Sequence, residues 1–422
     1  MFRLFRVALV ALIFIPLSAR ASSTGSVPLA EDATLAQSFV PATLRWNLVA
    51  RALVRKNLVD PLWAVRTYAL VSVAQHDAAR AAAPSSAGKA NSATLVAAAV
   101  AASSATTLAR LYPHEVPRIG ADLYAHLQEL RERTSSAAAL ERATAVGDSV
   151  ARSLLQEREN DGAISLETVI PPSGAGLWYS SERWVPLRPY WGEVRPFLIR
   201  RVSDYDPPPP PAAGSAAFAQ ALATVREARR LASAHNESIA RKWADGPGTA
   251  TPAGHWNEIA AELIARHGLG EVESARVLAL MNMALMDASI LCWRAKFEYW
   301  LLRPQQADPE IVPSFPPPNF PSYPSGHAAF SGAASSFLAN RFPDERQELN
   351  RLAEEAARSR VVSGIHYPFD SEAGLWQGRR IAEAAIALYE SDAPVRAQAA
   401  QAAARQEHRT VGGRRGDVFD GR

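Results

Sequence analysis

The sequence predicts an all-α protein made of helical bundles. Most of the 422 residues fall in segments rich in Ala, Leu, Arg and Glu, whose apolar positions recur with the 3.6-residue period of a helix. No run of alternating β-branched residues marks a convincing strand. Hydrophobic residues make up 48% of the chain and charged residues 21%, as in an ordinary globular protein.

Helical periodicity can be followed through eight segments. They cover residues 44–83, 93–112, 119–158, 217–242, 272–302, 328–340, 344–357 and 371–389. Residues 93–109 carry no charge, but they consist mostly of Ala, Ser and Thr, a composition too weakly apolar for a membrane span. We therefore expect a buried helix there, and no transmembrane segment in the mature chain.

The N-terminus predicts an exported protein. Residues 1–6 form a short basic region, residues 7–17 are apolar, and Ala19-Arg20-Ala21 forms a cleavage site, so residues 1–21 have the pattern of a signal peptide. The apolar run is shorter than the ~20 residues that span a bilayer. We expect the mature protein to be periplasmic or secreted. Its one thiol, Cys292, cannot form an internal disulfide.

Composition divides the mature chain into four parts. These are an N-terminal helical half (22–170), an aromatic and proline-rich loop (171–214), a C-terminal catalytic helical bundle (215–400) and a tail predicted to be disordered (401–422). The net charge of +3 is nearly balanced, and no basic stripe is interleaved with aromatic residues, so we expect no nucleic-acid partner. No sequence signal indicates an oligomeric state.

The stretch FPSYPSGHAAF, residues 320–330, has the pattern of a loop followed by a capped helix. Pro324 fits just before a helix start, Ser325 is a good N-cap, and His327 falls in the first turn. A helix N-terminus offers free N–H groups and a partial positive charge, which suit an anion. Alone, the stretch is more typical of a capped helix with an incidental histidine.

Two further segments supply charges that an anion would need. In KFEYWLLRP, Lys296 and Arg303 are seven residues apart, which is about 700° on a helix, so both are predicted to project from one face. The surrounding helix is apolar, and burying two uncompensated cations there would be costly. A shared anionic ligand explains them better than two solvated basic residues do.

The second of these segments is SRVVSGIHYPFD, which follows a helix predicted to end near Arg358. Asp370 lies four residues after His366, near enough to hold one ring nitrogen and fix the tautomer. The other nitrogen would then be a nucleophile or a ligand atom. Individually, Arg360 suits a surface position, and the other two suit a packed histidine and a helix cap. Together with the preceding groups, they suit a tetrahedral oxyanion.

The three motifs carry a family resemblance. K-x6-R-P, P-S-G-H and S-R-x5-H-x3-D together resemble the signature of the superfamily of type-2 phosphatidic-acid phosphatases and vanadium haloperoxidases, and no position departs from it. The resemblance implies that His366 is either phosphorylated or coordinates vanadium, and that His327 is the acid–base group. It implies that the oxyanion is held by five residues: Lys296, Arg303, Ser325, Gly326 and Arg360.

The flanking residues favour the chloroperoxidase branch of that superfamily. Trp293 stands three residues before Lys296 and Phe320 seven before His327, and residues 275–290 are also similar to that branch. By the same resemblance, Asp245 in the turn at residues 243–246 is expected to pair with Arg360. His255 could line the site entrance, but a loop histidine needs no function. The pair His76-Asp77 is interpreted as structural.

Two chemistries remain open from the sequence. One is a vanadate-dependent haloperoxidase, which would oxidise halide with hydrogen peroxide at a His-bound vanadate; the flanks favour it. The other is an acid phosphatase, which would hydrolyse a phosphomonoester through a phosphohistidine and would need no cofactor. A third class, an exported oxyanion-binding protein, could dispense with His327 and Asp370. The sequence contains no G-x-S-x-G elbow, His-Glu-x-x-His motif or cysteine pair.

Overall fold

The structure is a computed structural model that describes residues 40–83, 89–165, 169–180 and 185–391. The statements that follow concern these residues. The predicted signal peptide (1–21) and the predicted disordered tail (401–422) lie outside them, so both stay predictions.

The prediction of an all-α fold is confirmed. The described ranges contain no β-strand, only an isolated antiparallel bridge between Leu177 and Leu301. They contain thirteen α-helices: α1 (Ala42–Lys56), α2 (Pro61–Ala82), α3 (Lys89–Leu111), α4 (Val116–Arg131), α5 (Ala137–Glu157), α6 (Ala216–Arg230), α7 (Ala234–Lys242), α8 (Thr251–Arg266), α9 (Glu271–Tyr299), α10 (Pro304–Ala307), α11 (Gly326–Arg341), α12 (Arg346–Val362) and α13 (Pro368–Glu390).

Three predicted segments are each divided into two helices. Between α1 and α2, Leu58 has a left-handed φ of 49°, and the Asp60 carboxylate caps α2 by accepting from the amides of Leu62 and Trp63, each at 3.0 Å. The segments at 119–158 and 217–242 break where Ser136 caps α5 and Ser233 caps α7. These side-chain caps were readable in the sequence, whereas α8 was not predicted.

Helix α9 runs through the centre of the fold. It is buried along most of its length and packs on α2 from the N-terminal half and on α11 and α13 from the C-terminal half. A chain of buried amides joins it to its neighbours: Asn257 Nδ2 donates to Asn282 Oδ1 at 2.7 Å, and Asn282 Nδ2 donates to Ser72 Oγ at 2.9 Å. One hydrophobic core therefore extends through both halves of the chain.

The first residue of α9 also holds the first helix. Buried Glu271 accepts hydrogen bonds from the amides of Ala42 at 2.6 Å and Thr43 at 2.8 Å, and from the Thr43 hydroxyl at 2.5 Å. Amides at a helix start lack intrahelical partners, so the carboxylate completes α1 from 229 residues away. Burial raises the pKa of Glu271, and the hydrogen bonds from Thr43 and Ala42 oppose that rise.

Two helices are long and apolar enough to cross a bilayer by length and composition alone. They are the Ser92–Leu111 stretch of α3 and the whole of α9. Protein covers 67% of the most apolar window of the first and 94% of that of the second, as in core helices of a folded bundle. The expected absence of a transmembrane segment stays a prediction.

The aromatic and proline-rich loop is tied to α9. Trp191 Nε1 donates to Ser289 Oγ at 2.8 Å, and the amides of Phe197, Leu198 and Ile199 donate to the buried Asp287 carboxylate at 2.7, 2.7 and 2.9 Å. The described part of this loop therefore packs beside the C-terminal half of α9.

The close contact between α11 and α13 gives a first testable prediction. A Cβ added to Gly378 would lie 2.1 Å from the carbonyl oxygen of Ala329, so Gly378→Ala forces the helices apart and should destabilise the fold by at least ~1–3 kcal/mol. The matched control is Gly120→Ala in α4, where a Cβ meets no atom within 4 Å and should stabilise by ~0.5–1 kcal/mol. Urea unfolding of both variants measures this, and equal midpoints would contradict the helix packing.

Candidate functional site

The three sequence motifs converge at one end of the C-terminal bundle. The first lies at the end of α9, the second at the start of α11, and the third runs from the last turn of α12 to the first turn of α13. Two local predictions were wrong. Arg303 does not share a helical face with Lys296, because Trp300 adopts φ 48° and ends α9. Arg360 lies inside α12, which continues to Val362 instead of ending near Arg358.

Lys296 is fully buried and its ammonium group contacts the loop that precedes α11. Its Nζ lies 2.9 Å from the carbonyl oxygen of Pro321, 2.8 Å from that of Ser322 and 2.5 Å from that of Pro324. A lysine has three N–H donors, so these carbonyls can take all of them. Lys296 thus shapes the loop and contributes positive charge, with no donor left over for a ligand in this arrangement.

Arg303 has a free donor. It stands in an extended conformation (φ −83°, ψ 160°), as expected of a residue before proline, and it caps the short α10. Its Nε donates to Phe320 O at 3.0 Å and its Nη1 to Ile365 O at 2.7 Å. Its Nη2 is buried and finds no hydrogen-bond acceptor among the described residues. A buried guanidinium nitrogen without an acceptor is costly, and an anion beside His366 would satisfy it.

The second motif forms the predicted helix N-terminus. Ser325 is the N-cap of α11, and its Oγ accepts from the amide of Ala328 at 3.4 Å, which leaves its own O–H to donate elsewhere. Gly326 is the first residue of the helix, and its added Cβ would lie 3.5 Å from the Trp293 ring. The first amides of α11 have no intrahelical acceptor, so the cap prediction is confirmed in geometry. His327 follows in the first turn.

Arg360 lies against His327. Its Nη1 is 3.4 Å from His327 Nε2, its Nε donates to Ser359 Oγ at 2.9 Å, and it is 1% exposed. Its guanidinium also covers the ring of Phe315 at 5.1 Å. The site therefore brings a planar cation next to the residue expected to exchange protons.

His366 and Asp370 form a buried pair in the geometry that the spacing predicted. His366 Nδ1 lies 2.8 Å from Asp370 Oδ2. The same oxygen also accepts from Ser322 Oγ at 2.5 Å and from the Tyr367 amide at 3.1 Å. Because a carboxylate oxygen accepts, Nδ1 carries the proton, and the Nε2 lone pair is left available. None of the described residues donates a hydrogen bond to that Nε2.

Burial shifts the pKa of five ionisable groups in this site in the direction that favours their neutral forms. Desolvation lowers the pKa of Lys296 to about 8, that of Arg303 to about 10 and that of Arg360 to about 9. It lowers the pKa of His366 well below its usual value, with Arg303 and Lys296 adding to the effect. It raises the pKa of Asp370 to about 6. A bound anion would oppose the shifts of the three cations, because it favours their charged forms.

A cavity of about 750 Å³ opens onto this cluster. His327, Arg360 and His366 line it together with Trp293 and Phe320, whose ring centroids are 4.8 Å apart. The rest of the lining is mainly apolar, and its polar side chains are Asp60, Asp245, Thr251 and Asn319. The apolar part includes Leu58, Val59, Pro61, Val185, Leu187, Pro247, Pro252, Phe315, Pro316, Pro317 and Pro318. Arg360 and the two histidines thus border a mainly apolar cavity.

Asp245 lies beside His327, but its closer contact is with His255, a residue to which the sequence assigned no role. Asp245 Oδ2 is 3.9 Å from His327 Nε2, while both carboxylate oxygens lie 3.3 Å from His255 Nδ1. Asp245 also raises the pKa of Arg360, although desolvation dominates that shift. The expected pairing of Asp245 with Arg360 stays a prediction. The interpretation of His255 as a loop histidine was wrong, because it lies in the second turn of the unpredicted α8, ten residues after Asp245.

The donors fit an oxyanion better than a bare metal ion. The described ranges hold no group of three or more His, Cys, Asp or Glu side chains suited to a metal ion. Instead, the unsatisfied Arg303 Nη2, the α11 N-terminus and Arg360 present donors and positive charge around the free Nε2 of His366. Phosphate and vanadate both match this donor set, since both are tetrahedral oxyanions.

Known proteins share the site-bearing sequence. Residues 276–392 match the family model of the PAP2 superfamily. The vanadium chloroperoxidase of Curvularia inaequalis is 32% identical over 164 aligned residues, which cover 29% of this chain and 26% of that protein. A non-specific acid phosphatase of Salmonella typhi is 42% identical over 57 residues, covering 14% of this chain and 23% of that one. The chain thus spans about a quarter of these relatives.

Solved structures share most of the fold. A bacterial vanadium-dependent iodoperoxidase superposes with a TM-score of 0.71 at 22% identity, covering 83% of this chain and 97% of its own. A holo-type bacterial vanadium-dependent chloroperoxidase gives a TM-score of 0.66 at 13% identity, covering 80% and 93%. At these identities the likeness concerns the fold alone. The segment that carries all three motifs, residues 276–392, is similar to the PAP2 superfamily, and the predicted resemblance to that superfamily is confirmed.

Proposed function

We propose that this chain is a haloperoxidase-like enzyme that oxidises halide with hydrogen peroxide at a vanadate held by His366. The observation that carries the proposal is the unsatisfied Arg303 Nη2, buried next to a histidine whose Nδ1 is fixed by Asp370. The sequence similarity to a vanadium chloroperoxidase over the site-bearing segment supports the choice of chemistry. We also propose that the protein acts outside the cytoplasm, because residues 1–21 have the pattern of a signal peptide.

The proposed oxyanion contacts follow from the donors around His366. Arg303 Nη2, Arg360, the Ser325 hydroxyl and the first amides of α11 would hold the oxygens of vanadate, and His366 Nε2 would bind the vanadium. Bound vanadate supplies the centre at which hydrogen peroxide is activated to oxidise halide. Lys296 contributes charge and fixes the loop carrying Ser325 through its carbonyl contacts.

Proton transfer in this proposal belongs to His327. Burial, Arg360 and His255 lower its pKa well below the usual value, so it is neutral and can accept a proton near neutral pH. Its Nε2 faces both Arg360 and Asp245. Trp293 and Phe320 form an apolar rim beside the two histidines and limit water, which strengthens electrostatic interactions there.

A PAP2-type acid phosphatase is the second candidate, supported by the 57-residue match to an acid phosphatase. His366 Nε2 would attack the phosphorus atom of a phosphomonoester and release the alcohol, which His327 would protonate. Water would then hydrolyse the phosphohistidine and return the enzyme to its starting state. This chemistry uses the same cations and needs no cofactor. The apolar rim favours the haloperoxidase.

One experiment tests the choice. Purified protein incubated with orthovanadate and freed of excess is expected to oxidise bromide in the presence of hydrogen peroxide, followed by bromination of monochlorodimedone. Phe320→Ala should lower this rate, because it opens the rim to water and removes the ring covering Arg303 at 5.0 Å. Phe369→Ala is a matched control, since Phe369 stacks on Tyr367 outside the cavity lining and should affect the rate much less.

The untreated protein is assayed in parallel on p-nitrophenyl phosphate at acidic pH. Efficient phosphate release, with no vanadate-dependent bromination, would overturn the haloperoxidase proposal and support the phosphatase. Absence of both activities, with tight vanadate binding retained, would instead support an oxyanion-binding protein.

A further inference from the structure

His255 lies in the second turn of α8 and touches no reacting group in either proposed chemistry. Its ring stacks on Trp243, with centroids 4.2 Å apart and planes inclined by 18°. Its Nδ1 lies 3.3 Å from each carboxylate oxygen of Asp245. The stack fixes the plane of the imidazole and the carboxylate fixes its edge, so His255 is held in one orientation.

The turn between α7 and α8 joins this pair to His327. Asp245 has a left-handed φ of 44° in that turn, a conformation uncommon for residues other than glycine. Trp243, two residues earlier, interacts with His327 through its backbone and with His255 through its ring. Asp245 Oδ2 stands 3.9 Å from His327 Nε2. A single carboxylate is thus placed between two imidazoles.

We propose that His255 is a positioning residue that holds the Asp245 carboxylate beside His327 and, when protonated, compensates the charge of that carboxylate. With His255 charged, Asp245 stabilises a second positive charge on His327 less well, and His327 stays a neutral base. Without His255, the full carboxylate charge acts on His327 and Arg360. The inference rests on the proposed acid–base role of His327 and specifies how that role is regulated.

The other charged groups around the pair do not replace His255. Arg360 from α12 lies 3.4 Å from His327 and bears a positive charge. Lys242 and Glu355 pair with each other at 2.6 Å, and Glu355 also accepts from Trp243 Nε1. Tyr68 from α2 is buried, and burial raises its pKa, so it is neutral. Among these groups, His255 is the one whose ring nitrogen lies 3.3 Å from both carboxylate oxygens of Asp245.

The test follows the imidazole of His327 by NMR titration of the protein without vanadate, so it requires no turnover. In His255→Phe, which keeps a ring over Trp243, the pKa of His327 should rise by about one unit, because a carboxylate within 4–6 Å then acts uncompensated. His255→Asn retains an N–H donor but cannot ionise, and it should show the same rise. The pH profile of the active enzyme should move to higher pH in both variants.

His267→Phe is the matched control. His267 also packs against an aromatic ring, Phe342, and also faces a carboxylate, Glu345 at 3.5 Å, but it lies at the opposite end of α8. It should leave the titration of His327 unchanged. An unchanged His327 pKa in folded His255→Phe, or wild-type behaviour of His255→Asn, would overturn the inference. A protein inactive in both activity assays would still give this titration, so failure of the proposed function is a separate result.

Discussion

His366→Ala should abolish turnover, by more than about a thousandfold, whichever of the two chemistries operates. The substitution removes Nε2, the atom placed to bind vanadium or attack phosphorus. It also removes the histidine partner of Asp370, whose Oδ2 contacts His366 Nδ1 at 2.8 Å. Steady-state rates of the purified variant measure the effect. Circular dichroism establishes that the variant remains folded.

Asp370→Asn refines this expectation. The amide preserves the shape of the side chain but can present its NH₂ group to Nδ1, which favours the opposite tautomer and protonates Nε2. We expect a large loss of rate in this variant also, with the fold retained. Activity of His366→Ala within a few-fold of wild type would remove His366 from the centre of the proposed reaction.

Arg303→Ala should weaken vanadate binding by about ten- to a hundredfold, because a hydrogen bond to a charged group contributes ~1.5–3 kcal/mol. The buried Nη2 of Arg303 has no acceptor within the part of the chain that the structure describes, so its contact with a bound anion would be new on binding. Calorimetric titration with orthovanadate, with phosphate as competitor, measures the change. Arg360→Ala should have a similar effect.

The control for Arg303→Ala is Arg226→Ala. Arg226 pairs with Asp308 at 2.6 Å near α10 and is about half exposed, so its loss should leave vanadate affinity unchanged. Arg303→Lys keeps the positive charge but removes the planar guanidinium. A lysine therefore cannot contact Phe320 O, Ile365 O and an anion in the same geometry. Wild-type affinity in folded Arg303→Ala would show that the anion binds elsewhere.

Local signals made much of this site predictable. The Ser325 cap depends on residues within four positions of one another, and so does the contact between His366 and Asp370. The motif order then identified the remaining groups. Their chemistry follows from residue types, so the prediction of an oxyanion site required no knowledge of the helix packing.

Other features depend on backbone conformations that the sequence does not reveal. Helical spacing predicted that Arg303 lies on α9 with Lys296. The left-handed conformation of Trp300 instead ends that helix, and Arg303 lies beyond it, next to α10. Lys296 was expected to contact the anion, whereas its Nζ is surrounded by three carbonyls from a loop about 25 residues later. His255 contacts Asp245 in a turn where Asp245 has a positive φ, a conformation that the sequence did not predict.

The contact between Glu271 and the first turn of α1 sets a delay during synthesis of the chain. Ala42 leaves the ribosome 229 residues before its partner, and at ~5–20 residues per second this is roughly 10–45 s. Throughout that interval, the face of α2 that packs on α9 has no covering helix. The N-terminal half therefore exposes apolar surface during this interval, when a nascent chain is most prone to aggregate or to bind a chaperone.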